Sequence, residues 1–113
     1  MARFAKLEAL EAKQVAEGMT RRVVAGEKLM LALVELEPGQ EVPAHSHFHE
    51  QMGYVVSGRV RFRAGGGEAE LGPGDMYSLA GGEEHAVVVL GDQKALVLDV
   101  FTPIREDFLP HAR

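Results

Sequence analysis

The sequence contains no cysteine and no asparagine among its 113 residues. The absence of cysteine excludes disulfide bonds, thiol nucleophiles and metal sites built on thiolates. Asparagine is heat-labile, so its absence together with that of cysteine favours a thermophilic source. Apolar runs such as Ala86–Leu90 are far shorter than the roughly 20 residues that cross a bilayer, and no membrane segment is predicted.

Basic residues are also in the minority. The chain has 12 lysines and arginines against 17 acidic residues, which gives a net charge of −5 at pH 7. Nucleic-acid binding needs a basic face and is therefore not predicted. Arg59, Arg61 and Arg63 alternate with apolar residues, which indicates the solvent face of a strand. The first residues lack the apolar stretch of a secretory signal, and this predicts a cytoplasmic protein.

Glycine-rich turns divide the chain into short runs that are typical of β-strands. The predicted strands cover residues 19–25, 28–37, 51–64 (two strands joined at Ser57-Gly58), 76–80, 85–90 and 94–101. Evenly spaced short strands predict an all-β sandwich or barrel. Before them, residues 6–18 contain good helix formers and end at a glycine, so a short helix is predicted there.

Three histidines and a glutamine occupy alternate positions in the segment "PAHSHFHEQ". If this segment is an extended strand, then His45, His47, His49 and Gln51 all face one side. Imidazole nitrogens bind zinc, nickel, iron and copper, and with oxygen donors they also bind manganese. His85 follows a turn and begins an apolar strand, where its side chain can point inward. The alternative for each residue is a surface histidine or a hydrogen-bonded core histidine.

The segment "PGQEVPAHSHFHEQMGYVVSG" closely resembles the first motif of the cupin superfamily. The match consists of Gly39, His45, His47, a donor at Gln51, and Gly58 at the family spacing. The segment "GDMYSLAGGEEHAVVV" resembles the second cupin motif. There Gly74, Gly82 and His85 have the family spacing.

The resemblance implies a double-stranded β-helix, or jelly-roll barrel, with one divalent transition metal ion such as Zn, Ni, Mn or Fe. It implies one cupin domain over residues 1–113, with a core barrel at about 19–104, an N-terminal helical or extended segment at 1–18 and a tail at 105–113. The metal ligands would be His45, His47, Gln51 and His85. Whether His49 replaces Gln51 as a ligand, or instead contacts the substrate, stays open.

The sequence departs from the common cupin pattern at three positions. Gln51 stands where most cupins have glutamate, Ala80 where proline is usual, and Val89 where asparagine is usual. A neutral amide lowers the negative charge of the site and should weaken or retune metal affinity, yet its oxygen can still bind a metal ion. The other two positions are not ligand positions.

Asp99 interrupts the apolar strand "ALVLDVF". A buried carboxylate is costly unless it is paired or functional. By alternation Asp99 and Phe101 face the same side, and Arg105 could fold back over the same cavity after Pro103 ends the strand. The alternative is an Asp99–Arg105 ion pair that only tethers the tail.

The glutamine at position 51 and the ending "DVFTPIRED" resemble the KdgF group of small cupins. That group opens the ring of unsaturated uronate monosaccharides, and the resemblance implies a metal-dependent enzyme acting on a small sugar acid. Asp99, Arg105 and Phe101 would then be catalytic, with Phe101, Arg105 and His49 contacting the substrate.

In this mechanism the metal acts as a Lewis acid, Asp99 moves a proton and Arg105 binds the substrate carboxylate. Two other functions stay open: a mononuclear Fe or Mn oxygenase, and a non-catalytic module that binds a small ligand. Similar small cupins are commonly dimers, and sheet edges are often covered by a partner, so a homodimer is predicted.

Overall fold

The computed structural model describes residues 2–109, in which the chain forms ten β-strands and two short 3-10 helices. The 3-10 helices are η1 (Leu7–Ala9) and η2 (Glu106–Phe108). The strands are β1 (Lys13–Ala16), β2 (Met19–Ala25), β3 (Met30–Leu36), β4 (Glu41–His45), β5 (Glu50–Ser57), β6 (Arg59–Ala64), β7 (Gly67–Leu71), β8 (Met76–Leu79), β9 (His85–Leu90) and β10 (Ala95–Thr102). Met1 and the last four residues of the predicted tail lie outside the described residues.

The strands form two antiparallel sheets. One sheet has six strands in the order β1-β2-β3-β10-β5-β8, and the other has four in the order β4-β9-β6-β7. Buried side chains from both sheets, such as Val34 and Val55 from the first and Val60 and Val89 from the second, belong to one hydrophobic core. The prediction of an all-β jelly-roll is confirmed.

Alternation along the strands explains which face each sheet buries. In β6, Val60 and Phe62 are buried while the arginines between and beside them are exposed. Arg59 and Arg61 form ion pairs with glutamates of β7, on the solvent side of the sheet. The prediction that these arginines form a solvent face is confirmed, and such exposed pairs contribute little to stability.

Of the helical and extended alternatives for the N-terminal segment, the extended one is confirmed, and the helix over residues 6–18 does not form. The structure has only the 3-10 turn Leu7–Ala9 there, followed by β1, which pairs with β2 at the edge of the larger sheet. The segment buries no residue in η1, and an isolated helix of this length is marginal in water without an apolar face to pack. Pairing with the edge of β2 satisfies its backbone instead.

Within residues 2–109, no helix is long and apolar enough to cross a membrane.

Candidate metal centre and adjoining cavity

His45 and His85 lie opposite each other on neighbouring strands. His45 ends β4, His85 begins β9, and the two are register partners in the smaller sheet. Their ring centroids are 4.3 Å apart, and the ring of His47 lies 5.1 Å from that of His85. One ring nitrogen from each of the three histidines lies within 4.8 Å of the other two. This group could hold a metal ion.

The Nδ1 atom of each of the three rings contacts a backbone carbonyl oxygen. The Nδ1 atoms of His45, His47 and His85 lie 2.9 Å, 3.2 Å and 2.9 Å from the carbonyl oxygens of Pro43, His49 and Glu83, respectively. A carbonyl only accepts, so each Nδ1 carries the proton and each Nε2 keeps a free lone pair. Carbonyl contacts of this kind fix the tautomer and ring orientation of metal-binding histidines.

Burial favours the same neutral state. Burial and then the charge of Arg105 lower the pKa of His47. Burial also lowers the pKa of His85, against an opposing hydrogen bond with the Glu83 carbonyl. Neutral imidazole is the form that binds metals. The donor chemistry of the three rings therefore fits a divalent transition metal.

Gln51 completes this group from the larger sheet. Its side chain is buried, and its Oε1 lies 3.0 Å from Nε2 of His47. Because the proton of His47 is on Nδ1, Nε2 of His47 and Oε1 of Gln51 both present lone pairs. This arrangement fits two ligands of one metal ion better than it fits a hydrogen bond between the two residues. The position of Gln51 fits a fourth ligand.

His49 lies beside this group and not within it. The cluster of mutually close ligand atoms consists of His45, His47 and His85, while the His49 ring lies 5.5 Å from that of His47 and 4.0 Å from that of Phe48. Its Nδ1 is buried and has no hydrogen-bond partner within residues 2–109. This arrangement favours Gln51 over His49 as the further ligand.

The premise that residues 45–51 form one extended strand is wrong. β4 ends at His45 in the smaller sheet and β5 begins at Glu50 in the larger one, so the chain turns between the sheets from 46 to 49. The amide of Gly82 donates a 2.7 Å hydrogen bond to the His47 carbonyl and fixes this turn. The histidines converge because the turn folds back, not because they alternate on a strand.

Asp99 lies on the inner face of β10 and is buried. The hydroxyl of Tyr77 donates a hydrogen bond to its Oδ1. Burial raises the pKa of Asp99 to about 6, although hydrogen bonds from Tyr77 and Gln51 and the charge of Arg105 oppose this shift. Burial also raises the pKa of Tyr77, and the Asp99 charge adds to that.

Gly53 makes the contact between Tyr77 and Asp99 possible. It is the register partner of Asp99 on one side and of Tyr77 on the other. A Cβ added at Gly53 would overlap the hydroxyl end of the Tyr77 ring. The missing side chain therefore leaves the space through which Tyr77 reaches Asp99.

Arg105 lies against the rings of Phe101 and Phe108. It binds Asp107 through two atoms, at 3.3 Å from Nε and 2.9 Å from Nη2. Its guanidinium lies 4.0 Å from the ring centroid of Phe108 and 5.3 Å from that of Phe101. The alternative of an Asp99–Arg105 ion pair is not what the structure shows, since the carboxylate that Arg105 binds is Asp107.

A family model described as cupin domain matches residues 32–101. The chain belongs to the cupin family. The match begins in β3 and ends in β10, so it includes both histidine segments and Asp99.

Solved structures of other cupins are similar to this one. KdgF from Halomonas sp. is 32% identical, with 96% of this chain and 100% of that chain covered and a TM-score of 0.90. An RmlC-like cupin from Shewanella frigidimarina is 27% identical, with 96% and 97% covered and a TM-score of 0.89. The predicted resemblance to the KdgF group is confirmed.

A sugar phosphate isomerase of the cupin superfamily from Silicibacter pomeroyi is 21% identical, with 90% of this chain and 76% of that chain covered and a TM-score of 0.78. At this identity the likeness shows the fold alone. No curated protein matches this chain closely enough to count as a relative.

In this cupin one cavity joins the histidines to the C-terminal group. Its lining includes His45, Gln51, His85, Asp99, Phe101 and Arg105. His47 lies next to this lining, with its ring 5.7 Å from that of Phe101. Residues predicted from three separate segments, at 45–51, 85 and 99–105, are thus brought together.

Tyr77, Arg21 and Phe108 also line the cavity, and the sequence did not single them out. A signal existed for Tyr77, because Gly53 lies inside an alternating strand and such glycines mark a close approach of another group. A signal existed for Arg21 as well, since it shares the inward face of β2 with Met19 and Val23.

Proposed function

We propose that this cupin is a metal-dependent enzyme that opens or isomerises the ring of a small sugar acid, with an unsaturated uronate as the best candidate. The observation that carries the proposal is that the cluster of three histidines borders the cavity that Gln51 and the buried Asp99 line. The similarity to KdgF over nearly the whole chain supports the choice of substrate class.

His45, His47, Gln51 and His85 would hold the metal ion. Bound there, a divalent ion supplies a Lewis acid that stabilises negative charge developing on a substrate oxygen. The set of three imidazoles and one amide accepts Zn, Ni, Mn or Fe, and availability decides among them. The carbonyl contacts of the three Nδ1 atoms keep the rings aimed at one point before any ion arrives.

Asp99 would move the proton. Opening a cyclic hemiacetal breaks the bond from the anomeric carbon to the ring oxygen and removes the proton of the anomeric hydroxyl. The unsaturated ring carbon then takes up a proton to give the ketone, so one carboxylate can remove and return it and no oxidant is needed. The hydrogen bond from Tyr77 holds the Asp99 carboxylate on the cavity wall.

Phe101, Arg105 and His49 would contact the substrate. The Phe101 ring offers an apolar surface for the sugar-ring carbons, and the charge of Arg105 attracts a carboxylate. Asp107 orients the Arg105 guanidinium through two hydrogen bonds. His49 has a buried, unpartnered Nδ1 among the described residues, which suits a contact with a substrate oxygen.

The test is turnover of an unsaturated monouronate by untagged protein loaded separately with Zn, Ni, Mn and Fe. We expect loss of the ultraviolet absorbance of the conjugated double bond and appearance of a linear keto-uronate by NMR. No turnover with any of the four ions would contradict the proposal. Oxygen consumption with an organic substrate would instead favour the oxygenase.

The homodimer, the cytoplasmic location and the thermophilic source remain proposals. Exposed apolar side chains on the outer face of the larger sheet support a homodimer. Register pairs Tyr54 with Met76 there, and Leu31 and Met52 both oppose Val100. Light scattering coupled to gel filtration tests this, and a mass of one chain at micromolar concentration would count against the dimer.

A further inference from the structure

Arg21 is a buried cation inside the cavity. It lies on β2 with only 8% of its surface exposed, and it lines the same cavity as Asp99, Phe101 and Arg105. Burying a guanidinium is costly unless a partner compensates for the lost water. A buried arginine that faces a cavity therefore needs a partner for its charge.

Among the described residues, Arg21 has an aromatic ring beside it and the charge of Asp107 acts on it, but no anion binds it directly. The Arg21 guanidinium lies 3.4 Å from the centroid of the Phe108 ring, which is a close stacking contact. Across residues 2–109, no hydrogen bond or ion pair joins the Arg21 side chain to another residue. Stacking uses the face of the guanidinium and leaves the N–H groups at its edge free to donate.

Arg105 differs from Arg21 in this respect. Two of its donor atoms, Nε and Nη2, already bind the Asp107 carboxylate, while both guanidinium groups lie against the same Phe108 ring. Burial and then the charge of Arg105 lower the pKa of Arg21, and the charge of Asp107 only partly opposes this shift. A ligand anion at Arg21 would offset both the lost hydration and the repulsion from Arg105.

We propose that Arg21 is a second carboxylate-binding residue of the cavity beside Arg105: the charge of Arg105 attracts the ligand carboxylate, and Arg21 holds it at the free edge of its guanidinium. The Phe108 ring, against which both guanidinium groups lie, positions Arg21. The substrate class is then a small carboxylated molecule, with its carboxylate at Arg21 and its reacting oxygen towards the histidines. Only the choice of a uronate as ligand rests on the function proposed above.

The test compares binding of glucuronate and galacturonate with binding of glucose, by calorimetry on metal-loaded protein. We expect Arg21→Met to weaken uronate binding about 10- to 100-fold, the loss of a charge-assisted hydrogen bond, and to leave glucose binding unchanged. Arg21→Lys keeps the positive charge but loses the planar guanidinium that can donate two parallel hydrogen bonds to a carboxylate, so uronate binding should fall severalfold. Arg22→Met is the matched control, because it removes a half-buried arginine from the opposite face of the same strand, outside the cavity lining.

The outcomes separate this inference from the proposed function. A wild-type protein that binds uronates no better than glucose would overturn the role of Arg21. Equal losses of uronate binding in Arg21→Met and Arg22→Met would also overturn it. So would a loss of glucose binding in Arg21→Met as large as the loss of uronate binding, which is the result expected if Arg21 only holds Phe108 in place. If uronates bind through Arg21 but no uronate turns over, the inference stands and the proposed reaction fails. Should Arg21→Met fail to fold, Arg21→Lys decides.

Discussion

The hydroxyl of Tyr77 donates its hydrogen bond to the carboxylate of Asp99 across a glycine, Gly53, that separates them in the sheet. Three neighbouring strands thus contribute one residue each to a single row on the inner wall. Tyr77 and Asp99 line the same cavity as Gln51. The proposed proton carrier and the proposed metal site therefore face one cavity.

Tyr77→Phe should lower turnover without removing the metal. The variant keeps the ring and loses the donor that holds Asp99, so we expect kcat to fall about tenfold, the effect of one hydrogen bond to a charged group. KM and metal content should change little. Steady-state kinetics with metal analysis test this, and unchanged kcat would remove Tyr77 from the mechanism.

Gly53→Ala should reproduce that loss by displacing Tyr77. A methyl group there would overlap the Tyr77 ring, so we expect destabilisation of about 1–3 kcal/mol, the usual cost of overpacking, together with lower kcat. Gly67→Ala is the control, because Gly67 is also a strand glycine. A Cβ there would lie 3.6 Å from its nearest neighbour, the carbonyl oxygen of Ala64, which is an ordinary contact. Denaturant unfolding and kinetics on both variants give the comparison. Equal stability of the two would show that the space at Gly53 is not needed.

Asp99→Asn should separate chemistry from metal binding. The amide is the same size but cannot take up a proton, so kcat should fall about 10²- to 10⁴-fold, the usual contribution of a general acid–base group. Metal content and substrate affinity should stay near the wild-type values. Normal turnover in this variant would mean that another group moves the proton.

The ligand at position 51 can be tested by changing its charge. Gln51→Glu restores the ligand set of most cupins and adds one negative charge, so the affinity for a divalent ion should rise. His49→Ala should leave that affinity unchanged, because its ring lies outside the histidine cluster. Metal titration with a competing chelator measures both. A loss of metal affinity in His49→Ala, together with unchanged metal affinity in Gln51→Glu, would make His49 the ligand.

Much of the fold followed from the sequence, because alternation and glycine turns are local signals. β2 and β9 have the predicted bounds, and β6 and β10 lie within about one residue of them. β1 and β7 were not predicted, since they are short and mostly exposed and so carry little apolar alternation. For the segment 6–18 the helical alternative failed and the extended one held, because helix propensity is weak without a buried face.

The residues of the candidate site could be predicted where the spacing of residues along the chain identifies them. They could not be predicted where the contact depends on how the strands pack together. His45, His47 and His85 follow from the cupin motifs, and Asp99 follows from the cost of burying a carboxylate in an apolar strand. The contact of Tyr77 with Asp99 depends on register across three strands, which no local pattern encodes. The same holds for the stacking of Arg21 on Phe108.

Metal content of untagged protein, wild type against His85→Ala, is the most direct measurement of whether two distant segments share one cation. We expect one divalent transition metal ion per wild-type chain and almost none in His85→Ala, with both proteins folded by circular dichroism. A variant that keeps its full metal content, or a wild type that takes up no ion from any of the four metals offered, would contradict the site described here.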